Sequence, residues 1–265
     1  MQKSKRPEQS LRNIVWATKR YIWGPPRQIV PSDRDDPQEA SVLLTRVPVE
    51  IRIQIWDHCF YSRADRKVHI VDGTGAFDCI APDEIGDAAS YHATVCERQP
   101  PKNMCGALLL LCRRLYFECL PLLYSKTLFD FYCYRNYIRS FANKVPSYNL
   151  AHIARVRVAI PLPSWTPKDV NRYGKERPES RKWSNLWKSL AALQGLRWLR
   201  VEMVIPHQYP FVEDWIGDLD LVLDPVKMVT RPEHFELLIP FDVGERGVGL
   251  PCKLVRSEPR RAGEW

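Results

Sequence analysis

Leu108–Phe131 reads LLLLCRRLYFECLPLLYSKTLFDF. Leu108, Leu111, Cys112, Leu115, Cys119 and Leu122 recur at three- and four-residue steps, so they share one face of a helix. Arg113, Arg114 and Glu118 fall off that face and are expected in water. Pro121 has no N–H and disfavours helical geometry at Leu120, which predicts a break or kink there and a short new turn over Leu122–Tyr124. Leu128, Phe129, Phe131 and Tyr132 are strand formers placed around Asp130. The chain therefore changes at this point from helix to strand, and both halves are read from it.

Downstream, three apolar runs each close on Ile-Pro: Val156–Pro161, Leu199–Pro206 and Phe235–Pro240. Proline suits a strand end because it cannot continue the ladder. Helical patterns lie between them. Tyr137, Ile138, Phe141 and Ala142 form one; Trp183, Leu186, Trp187 and Leu190 form a second, with Gly195 placed to stop it. Trp215, Leu219, Val222, Leu223 and Val226 form a third, which Pro225 should shorten. Alternating strand and helix is the pattern of an α/β fold with a parallel sheet and crossover helices. Residues 128–245 are thus expected to form a degenerate strand–helix repeat, either a leucine-rich-repeat-like arc or a small parallel α/β layer. Leu162–Arg181 and Pro206–Pro210 read as surface loops. The glycine-rich, basic residues 246–265 read as a flexible tail.

Upstream, residues 1–40 read as a mostly flexible basic tail. Within it Leu11–Ile22 has the form of a short basic amphipathic helix, fit for a membrane surface, for targeting, or for packing on the body. Residues 43–60, LLTRVPVEIRIQIWDHCF, form the second informative stretch. Pro48 stands where a first helical residue would, and Glu50 lies where the helix dipole favours a carboxylate. Ile51, Ile55 and Cys59 make one apolar stripe; Val49, Ile53, Trp56 and Phe60 make another. A helix apolar on two sides is either deeply buried or has two partners. Residues 62–103 read as an insertion holding a hairpin, with Val68, Ile70 and Val71 as one strand, Asp72–Gly75 as the turn and Phe77–Ile80 as the return.

Composition bounds the function. The net charge is +8, of which +6 falls in residues 1–30 and +3 in residues 246–265, leaving −1 for 31–245. Basicity thus sits on the tails, and nucleic-acid or anionic-membrane binding is expected, if at all, only through them. No apolar run approaches the ~18 residues of a membrane span, and no signal-peptide pattern opens the chain. The 8 cysteines are scattered, which fits a reducing compartment, cytoplasmic or nuclear. His69, Asp72, Asp78, Cys79, Asp83, Glu84, Asp87, His92, Cys96 and Cys105 are ligand types without ligand spacing, so no metal is expected. There is no nucleophile elbow, zinc-protease motif, phosphate loop or dinucleotide fingerprint; neither an enzyme nor a cofactor is expected.

Val47-Pro48-Val49-Glu50-Ile51-Arg52 followed by Ile55-Trp56 resembles the opening of the F-box-like motif of uncharacterised fungal proteins. Leu111-Cys112-Arg113-Arg114-Leu115-Tyr116, with Glu118, Leu120–Ser125 and Phe129, resembles their second signature. The resemblance implies an F-box-like helical module over 41–127. An F-box docks a substrate receptor onto the Skp-type adaptor of a cullin ubiquitin ligase, so by resemblance Val47, Pro48, Ile51 and Ile55 would face that adaptor. On the residues alone a stand-alone structural or binding domain with this helix buried remains the alternative. Whether Val47, Pro48 and Ile51 are exposed separates the two.

Overall fold

The computed structural model describes residues 38, 40–61, 66–71, 75–79, 109, 111–132, 137–161, 178–204 and 219–256. The expectations for Leu11–Ile22, for Pro206–Pro210 and for most of Leu162–Arg181 lie outside them.

Two helices come first among the described residues: α1 (Val42–Arg46) and α2 (Val49–Tyr61). A hairpin of β1 (Lys67–Val71) and β2 (Gly75–Asp78) follows, then α3 (Arg113–Lys126) and β3 (Leu128–Tyr132). Helices α4 (Tyr137–Lys144) and α5 (Ser147–Leu150) lead to β4 (Arg155–Pro161); α6 (Pro178–Ala191) leads to β5 (Trp198–Val204). Helix α7 (Leu219–Leu223) passes into a 3₁₀ turn, Asp224–Met228, before β6 (His234–Ile239). A second 3₁₀ turn, Gly244–Gly247, precedes β7 (Lys253–Arg256).

The seven strands of the described residues form one sheet in the order β2-β1-β3-β4-β5-β6-β7. Strands β1, β3, β4, β5, β6 and β7 run parallel, and β2 closes one edge antiparallel. The fold is α/β. The strands lie in chain order, so every crossover steps the same way. Right-handed crossovers then return on the same side of the sheet each time.

The register sorts the strand residues accordingly. Val68, Ile70, Phe129, Phe131, Val156, Val158, Leu199, Val201, Phe235 and Leu237 share the face on which the helices pack. Phe131 stacks edge-on against Phe141 of α4 at 5.1 Å, and Trp187 of α6 lies 6.4 Å from Phe235. Trp183 donates its indole N–H to the Val222 carbonyl of α7, 3.2 Å away. The opposite face carries one lateral row of charge: His69, Asp130, Arg157, Arg200, Glu236 and Lys253 are consecutive register partners. Alternation in VRV, LRVEM and FELL is the sequence image of these two faces.

Several expectations are corrected. The sheet runs across the boundary drawn at 127/128, because β1, from within the segment 62–103, pairs with β3. Residues 246–265 are not wholly a tail: Leu254 and Val255 extend the sheet beside Leu237 and Leu238. Helix α3 starts at Arg113, capped by Cys112, whose Sγ accepts from the Leu115 N–H, and it runs through Pro121 without ending. Buried contacts on both sides of the proline, at Cys119, Leu120, Leu123 and Tyr124, hold the helix across the missing donor. Gly195 does not stop α6, which ends at Ala191. Its role is close approach: a Cβ there would lie 2.2 Å from the Ala151 carbonyl oxygen. Pro225 does shorten α7, opening the 3₁₀ turn in its place.

Candidate protein-docking site

Helix α2 enters from Pro48, whose carbonyl accepts the first helical bond from the Arg52 N–H at 3.0 Å. Proline so near the start loses nothing, since the first N–H groups of a helix have no internal partner. The helix buries a seam at four-residue steps: Arg52, Trp56 and Phe60.

Arg52 is the centre of that seam, with its side chain 5% exposed. Its Nη2 meets Glu118 Oε1 of α3 at 2.6 Å and its Nε donates to Oε2 at 3.0 Å, a two-pronged pair. Its Nη1 donates to the carbonyls of Val47 and Leu44, tying α1 and the α1–α2 turn to the same point. Trp56 Nε1 donates to Glu118 Oε2 at 3.4 Å, and Arg114 Nε stands 3.4 Å from Oε1. Burial raises the pKa of Glu118; the hydrogen bonds from Arg52 and Trp56 and the charges of Arg52 and Arg114 outweigh it, and the net shift is downward. The Glu118 hydrogen bond likewise raises Arg52. A further ion pair, Asp57 with Lys126, joins the same two helices. Glu118, expected in water, is thus half-buried and anchors the entry helices.

With that seam fixed, the other apolar residues of α2 point outward. Ile51 is 45% exposed and Ile55 37%; Pro48 is exposed and Val47 half-buried. Val49 and Ile53 are exposed on the other side of the seam. On α1, Leu44 is buried while Val42 and Leu43 are exposed. A core helix would bury these side chains; this one leaves aliphatic side chains exposed on both flanks of the buried seam. Ile51 and Ile55, one turn apart on the same flank, are neighbours on the helix surface. The structure brings Pro48, Ile51 and Ile55 to the surface together; Val47 instead gives its carbonyl to Arg52.

The charged row on the sheet is the second polar construction. Asp130 is 2% exposed, with Lys67 Nζ at 3.2 Å and His69 Nδ1 at 3.1 Å from Oδ2. Burial raises its pKa, and the His69 hydrogen bond with the charges of Lys67, Arg157 and His69 brings the net below the usual carboxylate value. Arg157 Nη2 lies 3.4 Å from Glu202 Oε2, both largely buried. These pairs neutralise one another across neighbouring strands, the role expected of charge at opposed sheet positions. His69, a candidate ligand by type, is held by Asp130; Asp72, Asp83, Glu84, Asp87, His92, Cys96 and Cys105 lie outside the described residues.

A family model covers residues 36–257, from just before α1 to just past β7. The chain belongs to the family described as a domain of unknown function, DUF7730. No curated protein and no solved structure matches it. The DUF7730 unit therefore includes the entry helices, the hairpin and the last strand together, and the Arg52–Glu118 pair is internal to it. Among the described residues, no helix is long and apolar enough to cross a membrane.

Proposed function

We propose that this DUF7730 chain is a non-catalytic interaction protein whose exposed α1–α2 surface docks a helical partner, a Skp-type adaptor of a cullin ubiquitin ligase. One observation carries the reading: Ile51 and Ile55 stand exposed on a helix whose inner face is locked by Arg52 and Trp56. The F-box-like resemblance assigns these two residues, together with Val47 and Pro48, to the adaptor. The two stretches that carry the resemblance also meet, since Arg52 belongs to the first and Glu118 to the second. In this reading the α/β sheet is the part that holds a client, and the protein works in the cytoplasm or nucleus.

The test is co-purification. Tagged wild type and the Ile51→Asp, Ile55→Asp double variant are expressed in the same cells, and adaptor and cullin are quantified in each eluate. Adaptor recovered with wild type and lost with a folded variant supports a ligase receptor. Neither protein recovering adaptor leaves the alternative, a stand-alone binding domain with no ligase role.

A further inference from the structure

Strand β7 closes the sheet on the side away from β2, and among the described residues nothing pairs with its outer side. An edge strand turns the N–H and C=O groups of alternate residues outward, unpaired. The strand itself is well held. Leu254 and Val255 are the register partners of Leu237 and Leu238, which are buried, while they are only half-buried. The 3₁₀ turn Gly244–Gly247 presses on Leu254: a Cβ on Gly247 would lie 2.4 Å from Leu254 Cδ1. The apolar rows of the sheet thus run out to β7 and end there partly uncovered. Lys253 and Arg256 flank these two residues and are exposed, with their side chains on opposite faces of the strand. Among the described residues neither makes an ion pair, although Lys253 is the register partner of Glu236.

We propose that β7 receives an added strand from a partner protein, one that reads acidic–apolar–apolar–acidic. The unpaired peptide groups require an extended backbone, and the side chains decide which one is taken. Opposite charges at facing positions of a sheet attract, and like charges repel. An acidic residue opposite each of Lys253 and Arg256, with apolar residues opposite Leu254 and Val255, complements the edge in either strand direction. A second copy of this chain does not: pairing β7 antiparallel with itself across a two-fold axis sets Lys253 against Arg256 twice. Nor do residues 257–265, which would bring Arg260 and Arg261 to the same cations and include Pro259, with no N–H to give. The cations therefore keep the edge from pairing with its own kind and leave it open to an acidic strand. Strand addition involves no residue of the α1–α2 surface and does not depend on adaptor docking.

The experiment uses the full chain and a fluorescein-labelled octapeptide, Thr-Ser-Glu-Val-Ile-Glu-Ser-Thr, read by fluorescence anisotropy. Two further peptides carry N-methyl groups on alternate amides, one on the odd positions and one on the even. A strand added to an edge donates from only one of these sets. Saturable binding by wild type is expected, kept by one methylated peptide and weakened at least about tenfold in the other. The Lys253→Glu, Arg256→Glu variant is expected to bind the parent peptide at least about tenfold more weakly. It should also bind the counterpart with Lys in place of both Glu, which wild type does not; that gain shows the variant folded. The proposal is overturned if wild type does not bind the parent peptide, if both methylated peptides bind as it does, or if charge reversal leaves the preference unchanged. It is also overturned if analytical ultracentrifugation finds a wild-type dimer that the peptide dissociates, which would give the edge to a second copy.

Discussion

Replacing Glu118 by leucine removes the only carboxylate that meets the Arg52 guanidinium among the described residues. Two carbonyls, of Val47 and Leu44, remain to it, and they cannot neutralise a charge whose side chain is 5% exposed. Breaking a buried pair from one side costs about 3–5 kcal/mol; the 14% exposure of the Glu118 side chain places this case near 3. Substituting both partners, Arg52→Met with Glu118→Leu, removes the stranded charge and should return stability to within about 1 kcal/mol of wild type. Urea unfolding followed by tryptophan fluorescence measures all three proteins, with Trp56 reporting from within the seam. The double variant also separates pairing from packing, since it retains apolar volume at both positions. A cost below about 1 kcal/mol for Glu118→Leu would refute the anchoring role. So would a double variant as unstable as the single one. The pH sign follows from the lowered carboxyl: the folded state binds fewer protons, so the contribution is present above about pH 4.3 and lost as pH falls through the lower folded value.

Other consequences are as direct. Asp130→Ala strands Lys67 beside His69 in the interior and should cost about 3–5 kcal/mol in the same urea assay. Below about pH 4 wild type should lose stability more steeply than this variant, because the Asp130 pKa is also lowered in the fold. Gly195→Ala drives a methyl into the Ala151 carbonyl oxygen and should cost about 1–3 kcal/mol by thermal melting; no change would mean that the two segments can part freely. In thiol labelling of the native protein, Cys59, exposed, should react first among the described cysteines. Cys119, fully buried and pushed by burial to about 12, should react only on unfolding.

The sheet was legible because its signals are local. Alternation in each strand places Phe129, Val156, Leu199 and Phe235 on one face, and period-two patterns need no distant information. Helix α6 was legible for the same reason, with Trp183, Leu186, Trp187 and Leu190 all buried as their spacing requires. What escaped depends on long-range partners. Glu118 looks solvated on its own helix, and only the Arg52 side chain, 66 residues away in sequence, makes it an anchor. Pro121 looks like a terminator until the packing around it is known. Strand β7 is 4 residues long beside glycines, too short to register as periodic. On α2 the core takes neither apolar stripe whole: it buries Trp56 and Phe60 of one, leaves Val49 and Ile53 of that stripe exposed along with Ile51 and Ile55 of the other, and completes the seam with Arg52, which no apolar pattern marks.

Adaptor docking is measured by titrating purified Skp-type adaptor with purified wild type and with the Ile51→Asp, Ile55→Asp variant, by isothermal calorimetry. Each substituted side chain is more than a third exposed, so the variant should keep the wild-type circular dichroism spectrum and lose no more than about 1 kcal/mol of stability. Wild type should bind saturably, one-to-one and with a negative heat-capacity change, and the folded variant at least about 100-fold more weakly. Wild type that fails to bind the adaptor, or a variant that binds it as tightly, would rule out adaptor docking through Ile51 and Ile55.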